Sequence, residues 1–180
     1  NGGAAYTVNV DGGSTVPKCK DMDWTGVPAG TVWGGGGGPI DIYGSTTLDP
    51  NMSITFTGQV QMQGVATLHD IDCNGVHFPK DVVFTGSGGG WNLVDDFFVD
   101  ENVYHSSGLI ETNGWEVTIG ANFYGHAGDL HLGSSEFIVL NGHAYFRYIA
   151  TQFDAGTSHI KLYGDGRTVD IWDLSREKDS

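Results

Sequence analysis

A stacked, all-β chain is what this sequence predicts, and three observations predict it. Apolar and polar residues alternate with a period of two, as in Glu116-Val117-Thr118-Ile119 and Glu136-Phe137-Ile138-Val139. No run has the length or spacing of an amphipathic helix. Gly, Asn and Ser break these runs at short intervals, and Gly alone fills 29 of the 180 positions, so the chain reads strand, turn, strand, turn. Short cassettes also recur at spacings of tens of residues, which marks architectures built by stacking like units.

The cassettes are of three kinds. Gly133-Ser134-Ser135-Glu136-Phe137-Ile138-Val139 and Gly156-Thr157-Ser158-His159-Ile160-Lys161-Leu162 start 23 residues apart. Ile54-Thr55-Phe56-Thr57-Gly58 and Val82-Val83-Phe84-Thr85-Gly86 are offset by 28. An apolar run meets Asn-Gly at Asn74-Gly75, Asn113-Gly114 and Asn141-Gly142. These steps suit the coils of a parallel β-helix, in which Gly and Asn take the left-handed backbone of the corners. Asn-Gly is equally the favoured two-residue hairpin turn, so the rival fold is an antiparallel β-sandwich.

Taken in order, residues 1–16 hold one short strand, Tyr6 to Val10, suited to covering the open end of a stack. Lys20 to Gly26 reads as a strand with acids on one face and Met22 and Trp24 on the other. Gly34 to Gly38 reads as a turning corner, because it lacks the Lys and Ser or Thr of a phosphate loop. Coils then run to residue 166, with strands at Ile40–Tyr43 and Met52–Phe56 and the densest patterning from Trp91 to Gly164. A last strand, Thr168 to Trp172, precedes a polar tail. No linker separates two compositions, so the expectation is one domain over residues 1–180, with a cap (1–16), coils (17–166) and a terminal strand and tail (167–180).

The formal charge is −14, from 22 acidic residues against eight Lys and Arg. No basic cluster exists to displace phosphate counterions, so nucleic acid is not an expected partner. No apolar run approaches the roughly 18 residues of a membrane span. The chain has neither an initiator Met nor a signal peptide, and reads as a processed or excerpted chain. Abundant Gly, Ser, Thr and Asn with little Lys lean towards an extracellular setting.

The run Phe84-Thr85-Gly86-Ser87-Gly88-Gly89-Gly90-Trp91-Asn92-Leu93-Val94-Asp95-Asp96, then Gly108-Leu109-Ile110-Glu111-Thr112-Asn113-Gly114 and Asp154-Ala155-Gly156-Thr157-Ser158, resembles a repeat pattern of large secreted and surface proteins of bacteria and of phage structural proteins. The resemblance spans about residues 18–166 and takes in Cys19-Lys20-Asp21-Met22 and Ile42-Tyr43-Gly44-Ser45-Thr46-Thr47-Leu48. It implies a single-stranded, right-handed parallel β-helix of five to seven coils, and it carries no catalytic signature. The chain departs from it at Trp115, Phe97, Phe98, Tyr145, Phe146 and Tyr148, where small or hydroxyl residues are commoner.

Period-two logic sends Asp21, Asp23, Asp41, Asp70, Asp72 and Glu111 outward, since each alternates with apolar neighbours. If their strands stack on adjacent rungs, the carboxylates repel unless a cation bridges them, which makes Asp21, Asp23, Asp41, Asp70 and Asp72 a candidate Ca²⁺ ladder; staggered rungs screened by water are the alternative. Paired acids also serve glycoside cleavage, with Asp70 and Asp72 the candidate pair and Asp95 and Asp96 weaker because adjacent residues face opposite ways. Trp91, Trp115, Tyr145 and Tyr148 are candidate sugar-stacking or subunit-interface residues, with inward packing as the competing reading. His126 and His131, with Asp129 between them, lack a zinc spacing, and the histidines read as surface or corner residues. Cys19 and Cys73 read as free, inward thiols too far apart to pair. Asn51-Met52-Ser53 matches the glycosylation sequon.

Together these readings predict a non-enzymatic structural or adhesion module of an extracellular, cell or virion surface. It would self-associate into a filament or trimer, because the ends of a β-helix expose unpaired strand edges. The alternatives are a tailspike-like polysaccharide-degrading protein and a Ca²⁺-dependent binder of cell-surface glycans.

Overall fold

The computed structural model of the chain describes residues 3–11, 15–65, 68–147 and 153–172. Every strand pairing among them is parallel, and the chain winds as a β-solenoid of about seven coils. That excludes the antiparallel sandwich.

Each coil visits three sides. The first is an eight-stranded sheet of Lys18–Cys19, Ile40–Ile42, Val60–Met62, Val82–Phe84, Val103–His105, Phe123–Gly125, Ala144–Arg147 and Val169–Trp172. The second is a seven-stranded sheet of Met22–Asp23, Thr46–Thr47, Leu68–Asp72, Gly90–Leu93, Leu109–Glu111, Asp129–His131 and Phe153–Asp154. The third is split. Thr7–Asp11, Thr31–Gly36 and Met52–Ile54 form its lower part, and Phe97–Val99, Val117–Ile119, Glu136–Val139 and His159–Leu162 its upper part. Between them the third coil crosses without a strand and touches the upper sheet through the bridge Phe78↔Val99.

Strands of three residues hold because they are stacked, not because each is stable alone. Ile40, Val60, Val82, Val103, Phe123 and Ala144 are successive rung partners 20 to 22 residues apart, all buried. Each inward side chain thus packs on its counterparts one rung above and below, and burying such a residue contributes roughly 1.5–3 kcal/mol. Large rings fill the bore: Trp33 stacks between Trp24 (6.0 Å) and Phe56 (5.5 Å), and higher up Phe123 packs on Phe137 and Phe146 at 5.0 and 5.2 Å.

Corners explain the Asn-Gly pairs. Asn74 and Asn113 take φ of 48° and 55°, followed by Gly75 and Gly114 at 74° and 85°. Asn tolerates this region, and its amide does further work: Asn113 Nδ2 donates to Leu93 O (2.9 Å) and Asn74 Nδ2 to Leu48 O (3.0 Å), carbonyls of the coil below. Asn141-Gly142 is not a third copy. It lies at the corner after the third side, and neither residue has positive φ.

One cassette expectation holds, and several others are corrected. The 23-residue cassettes are one coil apart, with Glu136↔His159 and Val139↔Leu162 in register. The 28-residue pair is no coil step, because Ile54 lies on the third side and Val82–Phe84 on the first. Lys20 to Gly26 holds only the strand Met22–Asp23, after a separate Lys18–Cys19. The glycine run is a corner only in part: Gly34 to Gly36 continue the strand Thr31–Gly36, beside Asn9 to Asp11, and Gly37-Gly38 make the bend before Ile40. Gly35, at φ +110°, passes so close to that strand that a Cβ would lie 2.1 Å from Val10 O. The tail beyond Trp172 lies outside the described residues.

Candidate functional site

The outer face of the eight-stranded sheet is built by the same period of two that fills the core. Between the inward residues of successive strands lie Lys18, Asp41, Gln61, Val83, Tyr104, Tyr124, Tyr145 and Asp170, one per rung and in direct register. The three tyrosines form a ladder. Tyr104 and Tyr124 stack at 4.9 Å and 12°, Tyr124 and Tyr145 at 5.3 Å and 11°. Arg147 caps the upper end, its Cζ 4.9 Å from the Tyr145 ring centre, while its Nη2 donates to Asp170 Oδ2 at 2.8 Å. Burial, aided by the charge of Asp81, holds the Tyr104 phenol above its usual value, so it remains a donor.

An amide ladder flanks the rings. Asn102 donates its backbone N–H and Nδ2 to Asp81 Oδ1 (3.1 and 3.0 Å), and Asn122 repeats both bonds to Asn102 Oδ1 (3.1 and 3.0 Å). The His143 N–H donates to Asn122 Oδ1 at 2.9 Å, and Thr168 N–H to His143 Nδ1 at 3.2 Å. These bonds fix the strand entries, and with them the spacing of the rings.

Ring geometry decides what the face can do. Stacked rings cover one another's faces and present edges and hydroxyls outward, so the ladder is a row of donors and CH edges at the rung spacing. It is not a platform for stacking sugars. Of the aromatics the sequence singled out, Tyr145 lies on this face and Trp115 is exposed at a distant corner. Trp91 is fully buried, because its register partners Ile110 and His69 place it on the inward side of the second sheet. Tyr148 lies outside the described residues.

The acids do not form a ladder on adjacent rungs. Asp41 belongs to the first sheet and is covered there, 3.9 Å from Lys18 Nζ, whereas Asp23, Asp70 and Asp72 belong to the second. On the second sheet a neutral residue separates the carboxylates: Thr47 stands between Asp23 and Asp72, and Asn92 between Asp70 and Glu111. Asp21 accepts from the Ser45 N–H (3.0 Å) and Asp70 from Asn92 Nδ2 (2.9 Å). Carboxylates on this sheet are interleaved with neutral residues, and the adjacent-rung ladder expected from the sequence is not formed. Among the described residues no group of three or more His, Cys, Asp or Glu is placed to hold a metal ion.

Asp70 and Asp72 share the outer face of one strand, and Asp95 turns back to accept the N–H groups of Cys73 (2.7 Å) and Asn74, pinning the corner. Glu111 accepts from His131 Nδ1 at 2.7 Å. Both cysteines are free: Cys73 is buried just after the strand Leu68–Asp72, and Cys19 is half-buried on the first sheet. His105 is neither a surface nor a corner residue. It points into the core, 0% exposed, with Nε2–H donating to Gly108 O at 2.9 Å.

The tyrosine ladder had a signal in the sequence. Asn102-Val103-Tyr104 recurs as Asn122-Phe123-Tyr124, with Gly108 and Gly128, Ile110 and Leu130, and Glu116 and Glu136 keeping the same 20-residue offset. No family model, no curated protein and no solved structure matches the chain. Among the described residues no helix is long and apolar enough to cross a membrane.

Proposed function

We propose that the chain is a non-enzymatic structural or adhesion module of an extracellular, cell or virion surface, consistent with its resemblance to the repeats of bacterial surface and phage structural proteins. Its rigid solenoid carries the tyrosine face to a partner, and self-assembly is part of that role. The observation that carries this reading is the register of Tyr104, Tyr124 and Tyr145, with their amide flank, on an open sheet face. Rigid aromatic donors held in a row, with few charges among them, are what interface cores use. Asp70, by contrast, is engaged by Asn92 on the second sheet, which favours presentation over cleavage.

Two measurements on the purified chain test this together: electron microscopy, and an assay for new reducing ends on capsular and cell-wall polysaccharides. The reading expects a defined assembly and no cleavage. Release of reducing ends that Asp70→Asn abolishes would overturn it in favour of a polysaccharide-degrading protein.

A further inference from the structure

The two long faces of the solenoid differ in charge. Among the described residues, the outer side of the seven-stranded sheet carries Asp23, Asp70, Asp72, Glu111, Asp129 and Asp154 with no Lys or Arg. The outer side of the eight-stranded sheet carries Lys18 and Arg147 against Asp41, Asp81 and Asp170, close to neutral in a chain of formal charge −14. The seven-stranded face therefore repels a second copy of the chain, and the tyrosine face does not.

The order of residues along that face selects an arrangement. With two copies face to face and their long axes parallel, each rung meets its own equivalent, so Lys18 opposes Lys18, Asp41 opposes Asp41 and Asp170 opposes Asp170. With the axes antiparallel about a two-fold between the fourth and fifth rungs, the central column meets itself reversed. Lys18 then faces Asp170, Asp41 faces the Tyr145 hydroxyl, Gln61 faces Tyr124, and Val83 faces Tyr104. Every like-charge contact in the column is removed, and the Tyr124 hydroxyl gains an acceptor in Gln61. The flanking column behaves in the same way, with Asp81 meeting Asn102. Eight rungs span about 34 Å of this face.

We infer that the tyrosine face is an isologous, antiparallel dimer interface between two copies of this chain. The inference rests on the self-assembly reading and narrows it from end-to-end growth to side-by-side pairing that stops at two. Sedimentation velocity from about 1 to 100 µM tests it. The expected result is a monomer–dimer equilibrium with no larger species. Tyr124→Asp weakens it at least tenfold, and so does Lys18→Asp, with urea unfolding of each variant as the control for the fold because Lys18 is the ion-pair partner of the covered Asp41. Lys18→Asp combined with Asp170→Lys restores it. A ladder of masses growing with concentration and indifferent to Tyr124→Asp and Lys18→Asp would overturn the lateral dimer while leaving self-assembly in place. A monomer at every concentration would remove both, and a monomer that binds a soluble glycan in a Tyr124-dependent way would give the face to that ligand instead.

Discussion

His105 offers the sharpest test of the interior, because the sequence puts a titratable ring where its rung partners are Phe84 below and Gly125 above. The imidazole is fully buried and edge-on to Phe84, with ring centres 6.4 Å apart. Nε2–H is spent on Gly108 O, and Nδ1 is buried with no hydrogen-bond partner. Burial pushes its pKa from 6.5 down to about 4, against smaller opposing effects of the Gly108 bond and the Asp129 charge. In the unfolded chain the ring takes up its proton near 6.5, so between these values the unfolded state binds more protons than the folded one. The neutral ring's full contribution is present above pH 6.5 and is lost as pH falls towards 4. At about 1.4 kcal/mol per pH unit the total is about 3 kcal/mol, of which about 2 kcal/mol is gone by pH 5. Urea unfolding of the wild type and His105→Leu at pH 7.5 and pH 5 reads this directly. Carboxylate titration is common to both proteins, so the variant's loss of stability between the two pH values should be smaller by about 2 kcal/mol. Equal losses would show that the ring is hydrated or protonated in the folded state, and the packing described here would be wrong.

Two further outcomes follow from the packing. A Cβ at Gly86 would lie 1.7 Å from Gly64 O of the coil below, whereas one at Gly26 would meet nothing within 4 Å. Gly86→Ala is therefore expected to cost about 3 kcal/mol in urea unfolding, from overpacking against backbone, and Gly26→Ala about 1 kcal/mol, from its φ of +75° alone. Burial raises the pKa of both thiols, far more at Cys73 than at half-buried Cys19. A thiol reagent at pH 8 should thus label Cys19 slowly and leave Cys73 untouched until urea is added, and equal native labelling would contradict the placement of Cys73 in the bore.

The stacking was legible in the sequence because it is a local pattern repeated. Three-residue strands flanked by Gly or Asn, and cassettes such as Gly133 and Gly156 that sit one coil apart, need no knowledge of the whole. Columns were not legible in the same way, because a column exists only once every coil length is known. Along the first sheet the steps vary from 20 to 23 residues, and the last, from Ala144 to Val169, is 25. That drift hid the Tyr104, Tyr124 and Tyr145 ladder and made Asp41 look like a neighbour of Asp70, although the two lie on different sheets. Trp91 was ambiguous for a related reason. In Gly90-Trp91-Asn92-Leu93 the alternation has no phase until Leu93 is seen to lie beside Ile71, which sends Trp91 inward with it.

The central claim is that one chain stacks coil on coil in fixed register, and a distance along the stack tests it most directly. Asp23 and Asp154 lie exposed on the second sheet, six rungs apart. Spin labels at Asp23→Cys and Asp154→Cys in a Cys19→Ser background, diluted with unlabelled protein, should give a single narrow distance near 30 Å, at about 4.8 Å per rung. A distance below about 20 Å, or a broad distribution, would mean that the coils do not stack in this order.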